Sequence, residues 1–174
     1  FVDEAYYWDW SQALAWGYYS KPPGIAVLIA FTTALGGHTE LAVRAGSLLL
    51  HPLTAGVLFL LTRHWYSATT ASAVGIAYLC LPAVAFSSLF ISTDVLLLFF
   101  WSLALYALAR FMEQPQTYWP LLGLALGLGM LSKYSMVLFG PCLLLFLWLH
   151  PPARSWLRQP YLYAAALLAG LIFA

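Results

Sequence analysis

The apolar runs of this chain, interrupted by very few charges, are what most limit its fold. Crossing the hydrocarbon core of a bilayer takes roughly 20 mainly apolar residues in a helix. Leu41 to Thr62 meets that length, with only Arg44 near its start and His51 inside it. Arg63-His64-Trp65-Tyr66 closes it with a basic and aromatic flank. Ala68 to Ile91 forms a second run, which Pro82 is expected to kink. Asp94 to Phe111 forms a third and carries Arg110 at its end. Leu121 to Leu149 is apolar except for Lys133, and Tyr161 to Ala174 starts a further run. Together these runs predict an all-α, polytopic integral membrane helical bundle.

Composition agrees. The chain is 63% hydrophobic and 7% charged, against about 25% charged in soluble domains, which excludes an ordinary water-soluble globule. A net charge of +1 leaves no basic patch to displace counterions from phosphates, so no nucleic acid is expected as a partner. Cys80 and Cys142 lie alone in apolar runs, and His38, His51, His64 and His150 are scattered, so neither a disulfide framework nor a histidine metal site is indicated. Phe1 is no initiator residue and the last run stops unflanked at Ala174. Residues 1–174 therefore read as an excerpt of a larger protein, with 1–40 an outer loop and 41–174 membrane helices.

Lys133 decides the topology. One long helix through it would put Arg110 on the opposite side of the membrane from Arg154 and Arg158. A hairpin turning at Ser132-Lys133-Tyr134 puts Arg63, Arg110, Arg154 and Arg158 on one side, as the positive-inside rule favours. The inner side then carries a net +3 with Glu113. The outer side carries −2 from Lys21, Arg44 and Lys133 against Asp3, Glu4, Asp9, Glu40 and Asp94. Five of the six acids thus meet three cations on one face.

Within the outer segment, Glu4 to Trp16 mixes aromatic and polar residues in a way that suits a helix lying in the interface. Gly17 ends it, Pro22-Pro23 prevent helix, and Ile25 to Leu35 reads as a second in-plane or half-buried helix closed by Gly36-Gly37. Asp3 and Glu4 have two readings, a general base or metal ligand and simple first-turn acids that favour a helix dipole. Asp94, after Ser92-Thr93, is likewise either functional or part of a helix cap. Lys21, Lys133 and Arg44 can hold an anionic head group, or snorkel and pair with nearby acids. Tyr6, Tyr7 and Tyr19 can line a substrate site, and interfacial anchoring explains such aromatics equally well.

Several motifs in order carry a resemblance: Asp3-Glu4-Ala5-Tyr6-Tyr7-Trp8, Gly17 to Gly24 with its Ser20-Lys21-Pro22-Pro23, Val43-Arg44, Ser92-Thr93-Asp94, and Gly127 to Tyr134. Together they resemble the polytopic glycosyltransferases of the GT-C superfamily. The likeness is specifically to the bacterial protein O-mannosyltransferase-like branch, with its lipid A aminoarabinose transferases and RgtA/B/C/D-like enzymes of lipopolysaccharide core assembly. The resemblance implies a polyprenyl-phosphate-linked sugar donor, a lipid, glycan or protein acceptor, and an inverting single displacement at the outer face of the bacterial cytoplasmic membrane. It makes Asp3 the base, adds Asp94 and Glu4 to the catalytic group, and puts Lys21 and Lys133 on the donor phosphate. Relatives often carry an acid just before the twin prolines. Ser20-Lys21 stands there in this chain, which argues against a metal ligand at that point. A divalent ion, if one is used, falls to Asp3, Glu4 and Asp94. The rival readings are a transporter or flippase for a lipid-linked substrate, and an assembly subunit.

Overall fold

The computed structural model describes residues 2–174, which among themselves contain helices and no strand. The helices are α1 Val2–Gln12, α2 Gly24–Gly36, α3 Glu40–Arg63, α4 Ala68–Cys80, α5 Pro82–Ser87, α6 Thr93–Phe111, α7 Pro115–Ser132, α8 Phe139–Leu149 and α9 Pro160–Phe173. Short 3-10 turns occupy Tyr134–Leu138 and Pro151–Arg158. Local chemistry sets most boundaries. The Thr39 and Ser67 side chains accept from the backbone N–H groups of Ala42 and Thr70 and so cap α3 and α4. Pro82, Pro115 and Pro160 stand in the first turns of α5, α7 and α9, where a missing N–H costs nothing.

Two boundaries differ from the sequence reading. The first helix stops at Gln12 rather than near Trp16. The Tyr18 hydroxyl donates to the carbonyls of Trp10 and Ala13, and its ring stacks on Trp10 at 4.7 Å, which holds the following residues in a loop. The run from Ala68 to Ile91 is not one kinked helix. Leu81 is extended (φ −63°, ψ 128°), as the residue before a proline tends to be, and the chain beyond the short α5 leaves helical geometry from Leu89 to Ser92.

Among the described residues, α3 and α6 are long and apolar enough to cross a membrane, while α2, α4 and α9 are apolar but shorter. Helix α3 turns Ser47, His51 and Thr54 inward and leaves Leu48, Leu49 and Leu53 exposed. These polar groups share the buried face with Val43, Leu50 and Ala55, while leucines cover the outside, the reverse of a water-soluble helix surface.

The chain does reverse at Lys133. A Cβ on Gly123 would lie 2.8 Å from the Ala165 carbonyl, and one on Gly127 would lie 2.8 Å from the Ile172 Cβ. Contacts that climb both helices together mean that α7 and α9 run parallel. The segment between them therefore has to travel back, and Tyr134 at its start meets Phe173 at the end of α9. Charges separate accordingly. Arg110, Glu113 and His64 pair at one end of the bundle, while Glu4, Glu40, Arg44, Asp94 and Lys133 pair at the other. Two apolar cores join between these ends, one from α1, α2, α3 and α6, the other from α6, α7, α9 and the turn after Lys133.

Candidate active site

The site is built around a strap, Ser87 to Asp94, that links α5 to α6. From α1, Glu4 reaches Arg44 of α3 with both carboxylate oxygens, which accept from Nε at 2.8 Å and Nη2 at 2.9 Å. The same carboxylate accepts from the Ile91 N–H of the strap at 3.3 Å. A forked guanidinium suits this two-point geometry in a way that an ammonium would not. The Arg44 bond holds the Glu4 carboxyl below its ordinary value, burial opposes that shift, and the Ile91 N–H adds to it. Glu4 and Arg44 therefore come together on each other, Arg44 also reaching Glu40 at 3.3 Å.

Asp3 has a different setting. It is exposed, makes no side-chain hydrogen bond or ion pair among the described residues, and lines a cavity of about 290 Å³ with Glu4, Ile91 and Ser92. Tyr7, one helical turn on, is buried with its hydroxyl near Thr93. Burial raises the Tyr7 phenol above its usual value, the Asp3 and Asp94 carboxylates raise it further, and Thr93 acts against them. Tyr7 is thus a neutral hydroxyl flanked by two carboxylates. Tyr6 is exposed at 57% near Trp10 and Tyr19 is fully exposed, so of the three tyrosines Tyr7 is the buried one.

Ser92 holds the N-cap position of α6 without a side-chain cap bond, and Asp94 stands in the first turn. Its carboxylate pairs with the Lys133 ammonium at the end of α7. Lys21 arrives from the loop before α2. There Gly24 presses on the α7 terminus so closely that a Cβ would sit 2.6 Å from the Leu131 carbonyl. That contact brings the Lys21-Pro22-Pro23-Gly24 turn beside Ser132-Lys133. Lys21 is half-buried and has no ion-pair partner among the described residues.

Beside these lysines opens an apolar groove of about 620 Å³ between α2, α6 and α7, with Trp16, Val27, Phe31, Phe100 and Leu128 among its walls and Gly24 and Ser132 at its head. As to a metal, no three His, Cys, Asp or Glu side chains gather into a ligand set among the described residues. Glu4 is paired with Arg44 and Asp94 with Lys133, so Asp3, Glu4 and Asp94 are not gathered into an all-protein ligand set.

The groove, the strap and the two hidden polar contacts behind it, Ser47 with the Phe90 carbonyl and His51 with Ser87, were not legible in the sequence. Periodicity was the only trace, since Arg44, Ser47, His51 and Thr54 recur along one face of α3.

The family model for dolichyl-phosphate-mannose-protein mannosyltransferases matches residues 20–174. The chain belongs to this family. It is 40% identical over 161 residues to the lipid A galacturonosyltransferase RgtD of Rhizobium johnstonii (strain DSM 114642 / LMG 32736 / 3841), which covers 91% of this chain and 34% of that protein. It is 29% identical over 191 residues to the undecaprenyl phosphate-alpha-4-amino-4-deoxy-L-arabinose arabinosyl transferase of Pseudomonas aeruginosa (strain LESB58), covering 98% and 34%. The mannosyltransferase-family chain thus spans about a third of the length of these relatives. No solved structure matches it.

Proposed function

We propose that this chain is the donor-handling part of a multi-pass membrane glycosyltransferase. It would move a sugar from a polyprenyl-phosphate donor, by analogy with the undecaprenyl phosphate-dependent relative, to a cell-envelope acceptor, lipid A by analogy with the galacturonosyltransferase. The observation that carries this reading is the apolar groove lined by Gly24 and Ser132, the former in the turn that carries Lys21 and the latter next to Lys133, together with the Asp94–Lys133 pair and a Tyr7 phenol acted on by both Asp94 and Asp3. A lipid phosphate has two parts, a long hydrocarbon and a compact anion, and the groove and lysines match them in that order. Family membership and the leucine-covered outward face of α3 support a membrane bundle, which this reading puts in the inner membrane with the site on its outer face. The flippase alternative asks for ionisable groups distributed through the midplane, whereas carboxylates and lysines here gather at one end of the bundle.

The chemistry follows from placement. Asp3, uncommitted and at a cavity, accepts the proton of the acceptor hydroxyl. The acceptor oxygen attacks the anomeric carbon, the carbon–oxygen bond to the lipid phosphate breaks, and the configuration inverts. Lys21 and Lys133 hold the charge that grows on the departing phosphate. Asp94 keeps Lys133 in place until the phosphate arrives, and the neutral Tyr7 hydroxyl is available to orient a sugar oxygen. The Glu4–Arg44 pair fixes the end of α1 that carries Asp3.

Transfer from a radiolabelled polyprenyl-phosphate sugar, by the full-length protein in membranes, tests the reading. Lys21→Ala should weaken donor use by roughly one to two decades, the worth of a charge-assisted contact, with insertion unchanged. Donor kinetics identical to wild type would remove Lys21 from the phosphate site, and no transfer at all by wild type would remove the function.

A further inference from the structure

The strap Ser87–Asp94 is held at almost every polar opportunity it offers. Phe90 gives its carbonyl to the Ser47 hydroxyl at 2.7 Å, Ile91 gives its N–H to Glu4, Thr93 meets Tyr7, and Asp94 meets Lys133. At the strap's root, the Ser87 hydroxyl lies 2.6 Å from the Nε2 of His51, whose Nδ1 lies 3.0 Å from the Tyr78 hydroxyl. His51 is 2% exposed and sits in the middle of α3, about two helical turns from Arg44 and far along the chain from Asp3, Lys21, Asp94 and Lys133. Both of its ring nitrogens are engaged. A buried imidazole that joins α4 on one side to the root of the strap on the other fixes where the strap leaves the bundle.

We infer that His51, through Ser87, is a positioning residue that sets the placement of Ile91 to Asp94, and with it the Asp94–Lys133 pair. This rests on the transferase reading given above. Two features favour it over a role in packing alone. Between Ser87 at the end of α5 and Thr93 at the start of α6, Leu89 to Ser92 are irregular backbone, so no helical ladder of their own fixes Ile91 and Ser92, from which α6 and Asp94 start. The anchors also recur on one face of α3: Arg44 reaches the strap through Glu4, Ser47 directly and His51 through Ser87. Small displacements at a site of this kind are costly, since a misplacement of about 1 Å lowers rates by roughly two decades.

The two arms of the imidazole can be separated. Glutamine presents a polar atom near where Nε2 stood, and asparagine one near where Nδ1 stood. His51→Gln should keep the Ser87 arm and stay within about three-fold of wild-type kcat in full-length protein, while His51→Asn and Ser87→Ala should each lower kcat at least ten-fold with a similar donor KM. Contacting or linked residues couple, whereas independent ones add. His51→Asn should therefore cost little further once Asp94→Asn is present. Equal losses in His51→Gln and His51→Asn, wild-type kcat in Ser87→Ala, or additive losses with Asp94→Asn would each overturn the inference. Amide hydrogen exchange gives a readout independent of turnover, so it holds even if the transferase reading fails. His51→Asn and Ser87→Ala should speed exchange at Ile91 to Asp94 several-fold over wild type and His51→Gln, and unchanged protection there would overturn the inference.

Discussion

At the residue scale, the two neighbouring acids of α1 have opposite fates although the sequence presents them as one motif. Position 4 faces inward to Arg44 and the strap, and position 3, about 100° around the helix, faces the cavity. Under the proposed mechanism, Asp3→Asn should lower turnover by about two to four decades, the usual worth of a general base, with normal expression and donor binding. Turnover assays on the full-length variant check this, and wild-type rates would remove Asp3 from the chemistry. Glu4 predicts a stability effect with a definite sign. Its carboxyl titrates below the ordinary value of 4.5 in the folded protein. Its contribution is therefore complete above the unfolded value and is lost as pH falls through the lower folded value. Melting temperature in detergent should fall on acidification through that window for wild type, and Glu4→Gln should be less stable at neutral pH with a flatter acid limb. Identical pH profiles for the two proteins would contradict the pairing.

At the element scale, the sequence conveyed lengths better than interruptions. The run before Gly36-Gly37, the run closed by Arg63 and the reversal at Lys133 could all be read, because glycine pairs, basic flanks and a lone lysine in an apolar stretch are local signals. The break at Leu81-Pro82 was legible only as a kink. Whether a proline bends or ends a helix depends on where the neighbouring backbone groups bond, and here the Leu81 N–H donates to Tyr78 while its carbonyl accepts from Val84 and Ala85, so one helix closes and another opens. Lys133 could be read as a turn residue but its partner could not, since Asp94 lies 39 positions away. Packing of α2 on α7 makes a further prediction. Gly24→Ala places a Cβ within 2.6 Å of a backbone oxygen that cannot move alone. The variant should lose about 1–3 kcal/mol of stability, as overpacked sites do, and should weaken donor use because Lys21 and Lys133 separate. Thermal melts together with donor KM test both parts. An unchanged melting temperature would mean that the two helices part easily.

At the scale of the whole molecule, parallel α7 and α9 and the separated charge clusters give the proposed sidedness a clear consequence. In a background with the exposed Cys80 and Cys142 replaced by serine, a cysteine at position 133 should react with an impermeant maleimide added to intact cells. One at position 154 should react only after the membrane is opened. Labelling of both from outside would defeat the proposed topology. The groove between α2, α6 and α7 adds something of a different kind. Its walls include side chains that also face outward, Val27 at 49% and Phe31 at 62% exposed, so it is open along its flank rather than only at an end. A ligand that enters through such a flank arrives by sliding sideways within the lipid sheet. What the protein senses is then the fraction of lipids that are donor, not the number of donor molecules per litre. Adding inert lipid should starve the enzyme as surely as removing substrate.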